Sequence, residues 1–243
     1  IGLDSDSKAG LPDRYRDVPT LNISGSAEFT PAQVKNLKAT INKPKICIVD
    51  LRQESHGFIN DLAISFFNLE KHLNEGLSSK EVLSVTNSQL NKIKLGSYQD
   101  IYHRTGRLYK QVSVDYVNNE KDLVNENGME YKLFPVRNNG TPTPSVVDDF
   151  VEFIKNKPND LHLHFHCDAG EGRTTTFMYM YQCMFNENNL SMNQILTYQY
   201  NIGGIILIDN KDRAEYLQEF YNYVEANKSN NYSTTYSQWL KQS

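Results

Sequence analysis

The chain has 243 residues, enough for one medium domain with a small appendage, and 39% of them are hydrophobic, enough for a core. A formal net charge of -4 argues against a general nucleic-acid binder, so a polyanionic ligand must meet a local basic patch. The three cysteines, Cys47, Cys167 and Cys183, show no disulfide framework, and no signal peptide, membrane-spanning run or lipid motif is visible.

In chain order, residues 1–27 are polar with few periodic apolar positions and read as an N-terminal arm, either loose or docked. Thr30-Pro31-Ala32-Gln33 predicts a helix start by a capping box. Lys45 to Leu51 predicts a buried strand, with Arg52 directly after it, and Asp61 to Leu73 a helix. Ser78-Ser79-Lys80-Glu81 caps another helix, to about Ile93. Residues 96–132 read as a β-rich insert, with strand-like alternation over Gly106–Val114 and a short helix from Lys121 to Gly128. Thr143 and Pro144 open a helix whose apolar face carries Val146, Val147, Phe150, Val151, Phe153 and Ile154. Leu161 to Phe165 reads as a buried strand and Thr174 to Tyr181 as a helix; Ser191 caps a helix to Tyr200, and the last helix runs from Asp212 to Asn227.

Between that strand and helix lies His166-Cys167-Asp168-Ala169-Gly170-Glu171-Gly172-Arg173-Thr174. A loop of this kind aims main-chain N–H groups at one spot, and the helix N-terminus adds positive charge there. Gly170 and Gly172 let the backbone curl, and Arg173 offers a planar fork for two phosphate oxygens. In that field Cys167 should favour the thiolate, which can attack phosphorus to give a phosphocysteine. Thr174 can donate a hydrogen bond to the sulfur, and His166 can position the loop. The rival reading is a buried structural cysteine beside a glycine-containing turn; the flanking strand and helix favour the chemical one.

This run, with Val49-Asp50-Leu51-Arg52-Gln53-Glu54-Ser55-His56-Gly57-Phe58 and Asn201-Ile202-Gly203-Gly204, resembles the bacterial PTP-like phytases. These are cysteine-dependent myo-inositol polyphosphate phosphatases of the protein-tyrosine-phosphatase fold. The resemblance implies an α/β fold: a phosphatase-like core, a mixed sheet flanked by helices, over 28–95 and 133–243, with a small partial β-barrel in the insert at 96–132. It implies Cys167 as nucleophile, Arg173 and the amides of Asp168, Ala169, Gly170, Glu171 and Gly172 as phosphate ligands, and a secreted or periplasmic location. No metal or organic cofactor is required. The expected partner is phytate or another phosphorylated small molecule, with neither nucleic acid nor membrane, and the expected state is a monomer.

The chain departs from the family at the general acid. Aligning on Pro142-Thr143-Pro144 puts Asn138 at the family's aspartate and Asn139 at its neighbouring histidine. Asparagine cannot donate a proton to an alkoxide at neutral pH. Three readings follow: an aspartate exchanged by engineering, an enzyme that is slow or draws its proton elsewhere (Asp168 and Glu171 are the nearest carboxylates in sequence), or a module that binds without turnover. Arg52, Arg137, Lys211 and Arg213 are candidates for the basic patch. Arg52 would project from a strand end toward phosphate, with a surface ion pair as the plain alternative. Lys211 and Arg213 stand against an equal case for solvated charges, because the link Ile205–Lys211 is shorter than the family's lysine-rich stretch. Glu54 and His56 are read as orienting Arg52 or capping a turn. Tyr102-His103-Arg104 reads as an exposed turn, with a substrate-facing role second. His162, His164 and His166 share one strand face, a spacing open to zinc but better suited to packing beneath a phosphate loop. A protein-tyrosine phosphatase and an inert phosphate-binding module are the rival functions.

Overall fold

The computed structural model describes residues 1–67 and 73–242. In chain order these form β1 (Gly2–Ser5), β2 (Arg16–Val18), β3 (Ile23–Ser26), α1 (Val34–Ile41), β4 (Ile46–Arg52), β5 (His56–Ile59), β6 (Leu62–Ser65), α2 (Ser79–Asn91), β7 (Tyr98–Tyr102), β8 (Leu108–Ser113), β9 (Val117–Asn118), α3 (Glu120–Glu126), β10 (Glu130–Val136), α4 (Pro144–Asn156), β11 (His162–His166), α5 (Gly172–Met184), α6 (Met192–Asn201), α7 (Lys211–Asn227) and α8 (Tyr236–Gln242).

Five strands in the order β10-β4-β11-β3-β2 make the central sheet. The first four run parallel and β2 closes the edge antiparallel. Every residue of β3, β4 and β11 is buried, as a parallel sheet covered on both faces requires. Alternation along β4 divides the core. Cys47, Val49 and Leu51 join Phe150, Phe165 and Phe177 under α4 and α5, while Ile46 and Ile48 join Val34, Leu37, Leu123 and Val124 under α1 and α3. The register sets His166 beside Asp50 on one side and Ser26 on the other, so β3, β4 and β11 deliver their C-terminal ends to one edge. Open α/β sheets bind ligands at that edge.

The N-terminal segment corrects the expectation of an arm. Residues 23–26 form β3, hydrogen-bonded to the strand that precedes the nucleophile, and residues 2–5 form β1. Gly25 explains the weak signal. A Cβ there would lie 2.4 Å from Met178 Sδ and 2.8 Å from Thr174 Cγ2, so α5 demands a strand of small residues rather than a hydrophobic run.

A second sheet, β8-β7-β1-β6-β5-β9, packs Phe58 and Ala63 into the cluster under α1 and α3. It draws on residues 2–5 and 56–65 as well as 98–118, so it is larger than the insert expected at 96–132. Strand β10 crosses the expected boundary at 132/133 and belongs to the central sheet. Its linear order describes a sheet with ends at β8 and β9. The helix expected from Asp61 is replaced by β6, which pairs with β5 around the turn Asn60-Asp61; the stretch 68–72 lies outside the described residues. Asn60 takes a left-handed φ of 53°, and its Oδ1 accepts from the N–H groups of Asp115 and Tyr116. That long-range pinning is absent from the local pattern.

The predicted caps at Ser78 and Ser191 both close as full capping boxes. At Thr30 only half of the box forms. Gln33 Oε1 accepts the Thr30 N–H, but Thr30 Oγ1 donates to Ser7 O, and α1 begins at Val34. The sequence reading did not foresee α8, which packs Tyr236 and Trp239 against Tyr223.

Candidate active site

The loop between β11 and α5 wraps the Cys167 sulfur. Gly170 has φ +72°, and a Cβ there would lie 2.4 Å from Ala27 N, so only glycine allows this close approach. The turn is tied from outside. Arg16 Nη1 donates to Gly170 O at 2.7 Å, its Nη2 donates to Thr175 Oγ1 at 3.1 Å, and the Glu28 N–H donates to Asp168 O at 3.0 Å.

Cys167 is 3% exposed. Burial pushes its thiol up, but the Arg173 guanidinium, the Thr174 hydroxyl and the N–H groups of Thr174 and Gly170 outweigh burial and hold it below its ordinary value. Thr174 Oγ1 lies 3.1 Å from Sγ and 3.2 Å from Ser26 O. At Cys47 and Cys183 burial wins instead and pushes the thiols up to about 12, although Lys132 opposes it at Cys47 and the Tyr179 hydroxyl at Cys183. The contrast sets Cys167 apart from a structural cysteine.

Arg173 is buried and gripped at both ends of its fork. Nη1 and Nη2 donate to Glu54 Oε2 and Oε1 at 2.8 and 2.9 Å, and Nη1 also donates to Val136 O at 2.9 Å. Glu54 also accepts from Arg52 Nε at 2.9 Å. Despite burial, Arg173 and Arg52 hold its carboxyl well below the usual range. Glu54 therefore orients Arg52, as read from sequence, and Arg173 as well.

Arg52 corrects the expectation of a phosphate contact projecting from the strand end. Its side chain is 0% exposed and ion-paired to Asp4, Glu28 and Glu54. Three carboxylates from three segments draw it inward. Its Nη2 has no hydrogen-bond partner among the described residues.

His166 lies beneath the loop. Its Nδ1–H donates to Cys167 O at 3.0 Å and its Nε2–H to Glu120 Oε2 at 2.6 Å. Burial opposes the imidazolium, but Glu120, Glu28 and Asp50 push it up to about 10. His164 and His162 are held neutral by burial, His162 down to about 4. Ser26 donates to Ala27 O at 2.7 Å, so it accepts from His164 Nε2 at 2.8 Å; Ser24 then donates to His164 Nδ1 at 2.8 Å and accepts from His162 Nε2 at 2.7 Å. Serine hydroxyls thus space the first two histidines. Glu28, His56 and Glu120, and also Asp50, Glu120 and His166, bring donor atoms within 4.8 Å of one another. Protonated imidazoles already fill that space, with His56 Nε2 donating to Asp50 Oδ2 at 2.5 Å.

The remaining candidates separate. Arg213 is 7% exposed, and its Nη2 lies 3.0 Å from where a Cβ on Gly172 would stand, so it borders the loop. Among the described residues no carboxylate lies within ion-pair distance of it. Lys211 is an exposed charge 4.0 Å from Glu215. Asn138 is exposed, with Oδ1 3.5 Å from Arg173 Nη2. Arg137 and Asn139 are exposed beside it, and Asn139 turns the chain with φ 61°. Ala169 and Glu171 are exposed on the loop's outer side, where Glu171 lies 3.5 Å from Arg14. Arg104 lies in an exposed turn after β7, as read from sequence, and from there it also bridges Asp4 and Asp168. Asp4, Arg16, Glu28 and Glu120 were missed. Each is an isolated polar residue, and only the fold brings it to the loop.

A PTP-like phytase family model, described by the words inositol hexakisphosphate, matches residues 49–185, more than half of the chain. The chain belongs to the PTP-like phytase family. It is similar to the tandemly repeated protein tyrosine phosphatase like phytase from Mitsuokella multacida, with 31% identity and a TM-score of 0.91 over 99% of this chain and 48% of that one. The Mitsuokella multacida PTP-like myo-inositol phosphatase in complex with myo-inositol-(1,3,4,5)-tetrakisphosphate gives 30% identity and a TM-score of 0.90, again over 99% and 48%. A PTP-like phytase from Bdellovibrio bacteriovorus gives 28% and 0.83 over 98% of this chain and 92% of that one. Among curated proteins, the effector protein hopD2 of Pseudomonas syringae pv. tomato is 28% identical over 85% of this chain and 48% of its own length. The chain thus spans about half the length of that relative and of the two Mitsuokella proteins. The mixed α/β architecture implied by the resemblance is the one observed.

Proposed function

We propose that this chain is a phosphomonoester hydrolase acting on myo-inositol polyphosphates, with phytate the leading substrate. One observation carries the reading: a buried sulfur whose thiol is held down by Arg173, Thr174 and loop amides, at the N-terminus of α5. The family match and the inositol tetrakisphosphate in the Mitsuokella complex favour this substrate class.

Substrate phosphate enters the cradle, its oxygens held by loop N–H groups and Arg173. Cys167 attacks phosphorus, the P–S bond forms, and the ester oxygen leaves. Water then cleaves the phosphocysteine. The cradle's donors are fixed before the reaction, so they hold the equatorial oxygens of the transition state without reorganising. Arg213, buried and without a carboxylate within ion-pair distance among the described residues, supplies positive charge beside Gly172. Arg137, exposed beside Asn138, is the candidate contact for a second phosphate.

The test is phosphate release from phytate and from a phosphotyrosine peptide by the chain and by Asn138→Asp. Phytate is expected to be the better substrate, with Asn138→Asp faster. Faster release from the peptide would overturn the inositol assignment, and binding without release by both proteins would favour an inert module.

A further inference from the structure

The phosphatase reading leaves a proton unassigned. The leaving alkoxide needs one, and the segment Arg137–Pro144 contains no carboxyl and no imidazole. The carboxyls around the cradle can be sorted by their surroundings. Glu54 is locked as a carboxylate between two arginines. Glu28 and Glu120 lie beneath the loop with side chains only 2% exposed, and Asp4 is sealed at 0%. Glu171 points outward to Arg14. Asp168 differs from all of them. It adjoins the nucleophile in the loop, its backbone is fixed by the Glu28 N–H, and its side chain is 17% exposed. It therefore follows the nucleophile directly in the chain and keeps a side chain that water reaches.

We propose that Asp168 is the general acid and base of this chain, taking over the task that Asn138 cannot perform. The inference rests on the phosphatase reading above. In the first step the Cys167 thiolate forms the P–S bond, the P–O bond to the alcohol breaks, and the ester oxygen takes the proton of the Asp168 carboxyl. In the second step water attacks phosphorus and the Asp168 carboxylate takes the water proton. The P–S bond then breaks, its electron pair returns to Sγ, and hydrogen phosphate leaves. Nothing beyond substrate and water is consumed.

The surroundings of Asp168 suit a group that must carry a proton part of the time. Arg104 pairs with its Oδ2, but the same Arg104 Nη2 also serves Asp4 Oδ1 at 2.7 Å. Arg52 and Glu54 face it from the end of β4, Asp4 from β1 and Arg104 from the turn after β7. Burial pushes the Asp168 carboxyl up, Arg52 and Arg104 oppose it, Asp4 and Glu54 add to it, and the result is a carboxyl above its ordinary value.

The experiment measures single-turnover and steady-state phosphate release by the chain, Asp168→Asn and Asp168→Glu. The substrates are phytate and p-nitrophenyl phosphate, whose leaving group stabilises its own charge. Asp168→Asn should lose about 10²- to 10⁴-fold on phytate, the usual worth of general acid catalysis, and much less in the first step with the aryl ester. It should also lose the falling high-pH limb of kcat/KM for phytate. Asp168→Glu should keep that limb, and Asn138→Asp added to Asp168→Asn should recover phytate hydrolysis. Equal losses on both substrates, or an unchanged phytate rate, would overturn the assignment while leaving the phosphatase reading intact. No release of p-nitrophenol or phosphate from either substrate by the parent chain, in single turnover or at steady state, would overturn both.

Discussion

Glu120 sits at the first position of α3, and its carboxylate accepts the Nε2–H of His166 at 2.6 Å. Its exchange for glutamine keeps the shape and removes the charge. An ordinary imidazole titrates near 6.5 and His166 at about 10 in the fold, a difference worth about 5 kcal/mol at about 1.4 kcal/mol per unit. Because the folded value is raised, this stabilisation is complete below about pH 6.5 and is lost as pH rises through about 10. Truncating one partner of a buried pair costs about 3–5 kcal/mol. The side-chain carbonyl of Glu120→Gln can still accept the hydrogen bond, so the low end is expected, about 3 kcal/mol at about pH 6. Urea unfolding from about pH 6 to about pH 10 measures it. The parent should lose stability over that span, and Glu120→Gln should start lower and lose less. His56 Nε2 lies 3.5 Å from Glu120 Oε1, so a cycle with His166→Asn isolates the pair. A difference under about 1 kcal/mol at about pH 6, or one that does not shrink toward high pH, would refute the reasoning.

Thr174→Val removes the hydroxyl beside Sγ; a hydrogen bond to a charged group is worth about 1.5–3 kcal/mol, so the thiol should rise by about 1–2 units, read from the pH dependence of alkylation by iodoacetamide. Arg16→Met cuts the ties to Gly170 O and Thr175 Oγ1 and should weaken phosphate binding by about tenfold, the equivalent of about 1.4 kcal/mol, measured by calorimetry. Gly170→Ala forces a side chain into Ala27 at a left-handed φ and should cost about 3 kcal/mol or more in urea unfolding, with loss of phosphate binding. An unchanged midpoint would show that the loop shifts freely.

What was legible in the chain was local. The nucleophile loop is contiguous, so Cys167, Arg173 and Thr174 were found together, and β11 and α5 flank it where the pattern placed them. Helices with serine caps were found because a cap lies three residues from its partner. Strands β1, β3 and β6 have four residues each, and each has a partner far along the chain, β1 with β6 and β3 with β11. Ile23-Ser24-Gly25-Ser26 carries its signal in what it must not have, side chains large enough to lift α5 off the sheet.

The counter-charges show the same limit more sharply. Arg52 and Arg173 were both named as phosphate ligands, and each is an arginine beside a strand end or helix start. Nothing near Arg52 in sequence separates it from Arg173, because Asp4 and Glu28 come from segments 48 and 24 residues away. With those two carboxylates and Glu54 around it, Arg52 is neutralised before any ligand arrives. Arg173 has Glu54 alone, shared with Arg52, so it keeps positive charge for the sulfur and for phosphate. The strut and the ligand differ in where the acids fall. A variant that strips Asp4 from Arg52 (Asp4→Asn) should therefore draw Glu54 toward Arg52, loosen its fork on Arg173 and weaken phosphate binding, measured by calorimetry, while leaving Arg104 to Asp168.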